Sequence, residues 1–193
     1  GDKSHIFSFF TKKIILYEPE ENLVDKLKLR FKKYNSIIIN KKLVTDKIGE
    51  NEFYSVLGNE SYSSIIEGYH KDFNQLKDAQ VIVKKKIATT LNTEIEKYGL
   101  PSYIKIDCEG AEQLILKNLD YKIDIISFEA NLPKFLKNTL KIIDSFSDKF
   151  NCSFNIRKNE KFVFSFKENV GRKILKDFLV SEKNTCEIFM FNK

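Results

Sequence analysis

Three acidic residues stand where an apolar run stops. Glu18 follows Ile14-Ile15-Leu16-Tyr17, Asp107 follows Tyr103-Ile104-Lys105-Ile106, and Glu129 closes the run that begins at Ile123. A carboxylate at the end of a buried strand can accept hydrogen bonds from a diol, hold an ammonium group or take a proton from a hydroxyl. Glu109 and Glu112 follow Asp107 closely, in Asp107-Cys108-Glu109-Gly110-Ala111-Glu112. The competing reading is structural: acids also sit at strand ends to cap the next helix, and Glu112 suits that role best. His5 and His70 are isolated. His70, in a long polar segment, is retained as a candidate base. No HExxH, Gly-Lys-Ser or Ser-His-Asp arrangement is present. The acids show no recognisable ligand spacing, so no metal site is expected.

The elements that must position these acids alternate. Lys13 to Glu18 reads as a strand. Pro19 then opens a helix over 20–34, with Leu23, Leu27 and Phe31 on one face. Ile37-Ile38-Ile39 is a second strand, completing a βαβ unit. Phe53 to Leu57 reads as a strand, 58–78 as a long loop with little regular structure, and 79–88 as an extended ribbon. Thr90 to Tyr98 is a helix capped by Thr89 or Thr90 and stopped by Gly99 and Pro101. A strand at 103–107, a helix at 111–118, a strand at 123–129 and a long amphipathic helix at 132–150 follow. Three closing strands are expected at 153–156, 162–166 and 186–191, with a helix at 171–179 before the last. This alternation implies an α/β domain with a mostly parallel sheet covered by helices on both faces. Ligands of such sheets bind at the carboxyl ends of the strands.

The chain has 193 residues, 42% apolar and 31% charged. These proportions exclude a disordered chain, a collagen and a coiled-coil rod. No apolar run approaches the roughly 20 residues of a membrane span. Three cysteines without a CxxC pair suggest neither a disulfide framework nor a zinc site, and a reducing, cytoplasmic setting is expected. The net charge of +6 and pI of about 9.0 leave a polyanion partner open, although the lysines are scattered.

The string 103–112 resembles the signature of the FkbM-type methyltransferases, apolar-Lys-apolar-Asp-x-Glu-Gly-Ala-Glu. Tyr17-Glu18-Pro19-Glu20 ahead of a helix, Ser127-Phe128-Glu129 and Thr90-Leu91-Asn92 are also similar to that family, which often carries an acid where this chain has Asn92. The resemblance covers residues 1–132. It implies a class I Rossmann-like fold that uses S-adenosyl-L-methionine to methylate a hydroxyl, on a sugar or other small molecule. It places Glu18 and Pro19 at the cofactor ribose, and Asp107 near its methionine amino group or methyl. Leu43 and Val44 would cover the adenine, unless they are plain core. Glu109 and Glu129 would face the acceptor, and with Asp107 they form the candidate catalytic set. Gly1 corresponds to the last glycine of the family's Gly-rich loop. The first strand and earlier glycines are missing from the chain, so 1–193 is expected to be a single, N-terminally truncated domain. Alone, it is expected to be poorly soluble or to bind no cofactor.

Two other classes remain. A nucleic-acid methyltransferase is favoured by the pI and opposed by the absence of an Asn-Pro-Pro-aromatic motif after the 103–107 strand. An inactive Rossmann-like binding module is the other.

Overall fold

β-Branched and aromatic runs become strands, and the stretches between them with a four-residue apolar repeat become helices. The computed structural model describes residues 2–158 and 163–192. The chain divides into two compact units, Gly1–Thr89 and Thr90–Lys193.

In the first unit, α1 (Asp2–Phe7) precedes β1 (Ile14–Tyr17), α2 (Glu21–Arg30) and β2 (Ile37–Asn40). β1 and β2 are parallel, paired from Ile14↔Ile37 to Tyr17↔Asn40, so the expected βαβ unit is present. Val24 and Phe31 of the apolar stripe are buried and Leu23 and Leu27 half-buried. A second sheet holds β3 (Leu43–Val44), β4 (Gly49–Val56) and β5 (Val81–Thr89) in the order β3-β5-β4. β4 and β5 form an antiparallel ribbon, and β3 runs parallel to β5. The segment between β4 and β5 is more regular than its polar composition predicts. It contains three 3-10 turns, Glu60–Tyr62, Tyr69–Asp72 and Asn74–Leu76, and buries Tyr69 and Leu76.

The second unit opens with α3 (Leu91–Tyr98), capped by the Thr90 side chain, which accepts the Thr93 N–H at 3.2 Å. β6 (Tyr103–Ile106), α4 (Glu112–Leu116), β7 (Ile125–Ala130), α5 (Leu136–Lys149), β8 (Cys152–Lys158), α6 (Arg172–Ser181) and β9 (Cys186–Asn192) follow. The sheet order is β6-β7-β9-β8. β6 and β7 are parallel, whereas β9 lies antiparallel between β7 and β8. The sheets are therefore mixed rather than mostly parallel. The expected strand at 162–166 is also corrected: residues 163–166 are not a strand, and Phe162 lies outside the described residues. Phe164 instead stacks edge-on against Phe189 and Phe191.

Period-2 alternation gives this sheet two unlike faces. Ile126, Phe128, Phe154, Ile156, Ile188 and Met190 are completely buried on one, and Ile143, Leu175 and Leu179 of α5 and α6 are buried as fully. Each such side chain contributes about 1.5–3 kcal/mol on leaving water. The opposite face carries Tyr103, Lys105, Ser127, Glu129, Asn155, Arg157 and Glu187. No helix among the described residues is long and apolar enough to cross a membrane.

Candidate functional site

β6 pairs with β7 as far as Ile106↔Phe128. The next residue on each strand is an acid, Asp107 and Glu129, so the register itself brings these two carboxylates to one end of the parallel pair. The chain then turns sharply. Glu109 has φ +49° and Gly110 φ +91°. A Cβ on Gly110 would lie 2.7 Å from the Phe135 ring, so a side chain there is excluded both sterically and by backbone conformation. Glu112, buried at the start of α4, holds the turn: its Oε1 accepts the N–H groups of Cys108 at 3.2 Å and Gly110 at 3.3 Å. Burial pushes the Glu112 carboxyl up to about 7, with Glu129 adding to the rise and the backbone N–H groups opposing it.

The turn carries Glu109 back over the strand ends. Carboxylate oxygens of Asp107, Glu109 and Glu129 all lie within 4.8 Å of one another. Charges of one sign at that separation repel, so this arrangement is suited to a cation. One is built in: Lys105 Nζ lies 2.8 Å from Asp107 Oδ2 and 3.7 Å from Glu187 Oε1. Burial works against the Lys105 charge, but Asp107 and Glu187 outweigh it and hold the ammonium above the usual lysine value. A ligand ammonium or sulfonium would complete the neutralisation. The same three oxygens are also close enough to share a metal ion, which their sequence spacing did not suggest.

Lys105, Ser127, Glu187 and Arg157 are absent from the sequence-derived set. The Ser127 hydroxyl donates to Glu187 Oε1 at 2.9 Å and lies 2.7 Å from the Tyr103 hydroxyl, and Arg157 donates to Glu187 Oε2. The signal for half of this group is present in the sequence. Alternation puts Tyr103 and Lys105 on the Asp107 face, and Ser127 on the Glu129 face. Glu187 and Arg157 carry no such signal, because β9 inserts beside β7 from the far end of the chain.

Glu18 and Pro19 belong to the first unit. Glu18 follows the last residue of β1, and its Oε1 accepts the Glu20 N–H at 2.8 Å. Burial raises its carboxyl above the ordinary value, and that hydrogen bond partly offsets the rise. The Pro19 carbonyl accepts from Lys86 Nζ at 2.7 Å. Glu20 is buried and accepts from the Ser55 hydroxyl and, at 3.0 Å, from Lys84 Nζ. Burial opposes the charge on Glu20, yet these two donors prevail and its carboxyl lies below the usual range. The strand end with Glu18 is thus braced by two lysines of β5. Leu43 packs into a cluster with Phe53, Ala88 and Ile65, while Val44 is half-buried. His70 is 93% buried in the second 3-10 turn rather than exposed in an open loop, as its relative exposure of 7% shows. Gly1 lies outside the described residues.

Asn92 has a structural task. Its amide donates to Asp120 Oδ2 at 2.8 Å and to the Asn118 carbonyl at 2.9 Å, and its Oδ1 accepts the Asp120 N–H. A carboxylate at this position would lose both donors and face Asp120.

Sheets of the α/β class bind their ligands at the carboxyl ends of parallel strands, and the ends of β6 and β7 are where this chain gathers acids. The family model for the methyltransferase FkbM domain matches residues 2–156, and the chain belongs to this family of methyltransferases. The match takes in the Glu18 strand end, the 107–112 turn and Glu129. No curated protein sequence matches the chain.

Proposed function

We propose that the protein transfers the methyl group of S-adenosylmethionine to a hydroxyl of a sugar or another small molecule. The carboxylate cluster at the ends of β6 and β7 carries this reading. Three acids with one lysine leave net negative charge, which fits a ligand bearing both a sulfonium and an ammonium. S-adenosylmethionine supplies a methyl group already activated by its positive sulfur, so the protein's work is chiefly positioning. Glu18, with one carboxylate oxygen on the Glu20 N–H, presents the other to the ribose hydroxyls. Asp107, with Oδ2 toward Lys105, presents Oδ1 to the ligand ammonium. Val44 offers apolar surface to the adenine, and Leu43 backs it from the core. Glu109 and Glu129 line the acceptor side. As the acceptor oxygen attacks the methyl carbon, the methyl–sulfur bond breaks and S-adenosylhomocysteine leaves as a neutral thioether, while one of the two acids takes the hydroxyl proton.

Isothermal titration with S-adenosylmethionine tests the reading. Saturable binding that Asp107→Asn weakens supports it and overturns the expectation that the chain alone binds no cofactor, whereas binding indifferent to Glu18 and Asp107 overturns the site. Label transfer from methyl-labelled S-adenosylmethionine to a panel of sugars, small alcohols and nucleic acids identifies the acceptor class. Transfer to nucleic acid alone would reject the hydroxyl assignment on small molecules.

A further inference from the structure

Lys105 joins an exposed carboxylate to a buried one. Its side chain is 17% exposed, that of Glu187 10% and that of Asp107 43%. On the buried side, Glu187 is held by the Arg157 guanidinium and the Ser127 hydroxyl. That places one end of the lysine's reach among side chains of β7, β8 and β9. At the other end, Asp107 lies just past the last residue of β6, where no strand pairing fixes its side chain. A lysine ammonium is a mobile point charge on a flexible stem, and it orients a partner only when it is itself anchored. Here the anchor is Glu187.

We propose that Lys105 is a positioning residue that, tethered through Glu187, holds the Asp107 carboxylate in one orientation with Oδ1 turned to the ligand ammonium. The role rests on the reading that Asp107 receives the amino group of S-adenosylmethionine. It goes further in assigning the preorganisation of that contact to a residue that touches neither ligand nor acceptor. The ion pair removes the rotational freedom that Asp107 would otherwise lose on binding, and preorganisation of this kind appears as affinity.

A double-mutant cycle tests it, read as the dissociation constant of S-adenosylmethionine in the full chain. Asp107→Asn is expected to weaken binding about tenfold or more, the scale of a lost charge-assisted hydrogen bond. Lys105→Met is expected to weaken it about three- to tenfold in the wild-type background, and to have no further effect once Asp107→Asn is present. Lys105→Arg, which keeps the charge, should recover most of the loss. A structural role would give the same penalty in both backgrounds, and additive effects therefore overturn the proposal. So does a Lys105→Met variant with wild-type affinity. If Asp107→Asn itself binds normally, the cofactor assignment of Asp107 falls and this role with it; a loss in Asp107→Asn with additivity in the cycle removes the Lys105 role alone. Lys105→Gln, uncharged and of similar length, takes the place of Lys105→Met in the cycle if the latter melts early.

Discussion

Gly110 is the residue on which the acidic turn depends most directly. Its positive φ and the Phe135 ring beside it leave room for hydrogen only. Gly110→Ala is expected to destabilise the fold by about 2–4 kcal/mol, combining a left-handed residue with overpacking. Urea denaturation measures this, and a loss below 1 kcal/mol would show that Phe135 yields easily. Glu18 poses a different question, because its carboxylate is tied to the backbone rather than to another side chain. Glu18→Ala is expected to weaken S-adenosylmethionine binding by about 1–3 kcal/mol. An unchanged dissociation constant removes Glu18 from the ribose. Glu109→Gln keeps the turn's shape but not its charge, and is expected to lower turnover more than cofactor affinity. Equal loss in both would place Glu109 on the cofactor instead. Glu18, Asp107 and Glu129 were legible in the sequence because each is an acid that ends an apolar run. Glu187 was not, for nothing in Cys186-Glu187-Ile188 reports which strand will lie beside it. Asn92 was visible as a departure from the family's acid, but its meaning lies in Asp120, a partner supplied by the fold.

The turn and α4 act as one element, and Glu112 is the buried carboxyl that joins them. Its carboxyl is raised from the ordinary 4.5 to about 7, because burial penalises the charged form. The folded state therefore holds this proton more tightly than the unfolded state does. Stability from this group is complete below about pH 4.5 and declines as pH rises through about 7. Glu112→Gln keeps an oxygen to accept the Cys108 and Gly110 N–H groups and removes the buried charge. It is expected to match the wild type at pH 4.5 and exceed it by roughly 1–3 kcal/mol at pH 8. Denaturation midpoints at the two pH values decide the matter: a variant less stable at pH 8 would mean that the ionised carboxylate is needed to hold the turn. Element types were largely legible, since β-branched runs and four-residue repeats mark strands and helices wherever packing agrees with them. The direction of β9 was not. A helix within an antiparallel connection, as α6 is between β8 and β9, has the same apolar pattern as a crossover helix. The 3-10 turns between β4 and β5 were hidden by polar composition, although Tyr69 and Leu76 give that segment a small core of its own.

At the scale of the whole molecule, the charge balance bears on which acceptor the protein can use. A net charge of +6 would favour polyanions if its lysines formed a stripe. Some of the basic side chains are instead paired with acids in both units. Lys41 pairs with Glu21, Lys84 with Glu20 and Lys85 with Glu50 in the first. Lys105 pairs with Asp107, Lys149 with Asp120, Lys158 with Glu182, Arg172 with Asp148 and Lys176 with Asp144 in the second. The exposed pairs contribute little stability, but each cancels charge within a few ångströms and so weakens the local field. The acidic cluster at the ends of β6 and β7 adds a second obstacle, since a phosphate backbone would meet three carboxylates there. Binding to nucleic acid should therefore be no better than non-specific, with dissociation constants of about 10 μM or weaker near physiological salt. Filter binding with duplex and single-stranded DNA and with RNA, at low and moderate salt, measures this. Weak retention that disappears as salt is raised fits a small-molecule acceptor. Submicromolar binding that persists at moderate salt would place a nucleic-acid surface on this chain and reopen the choice of acceptor.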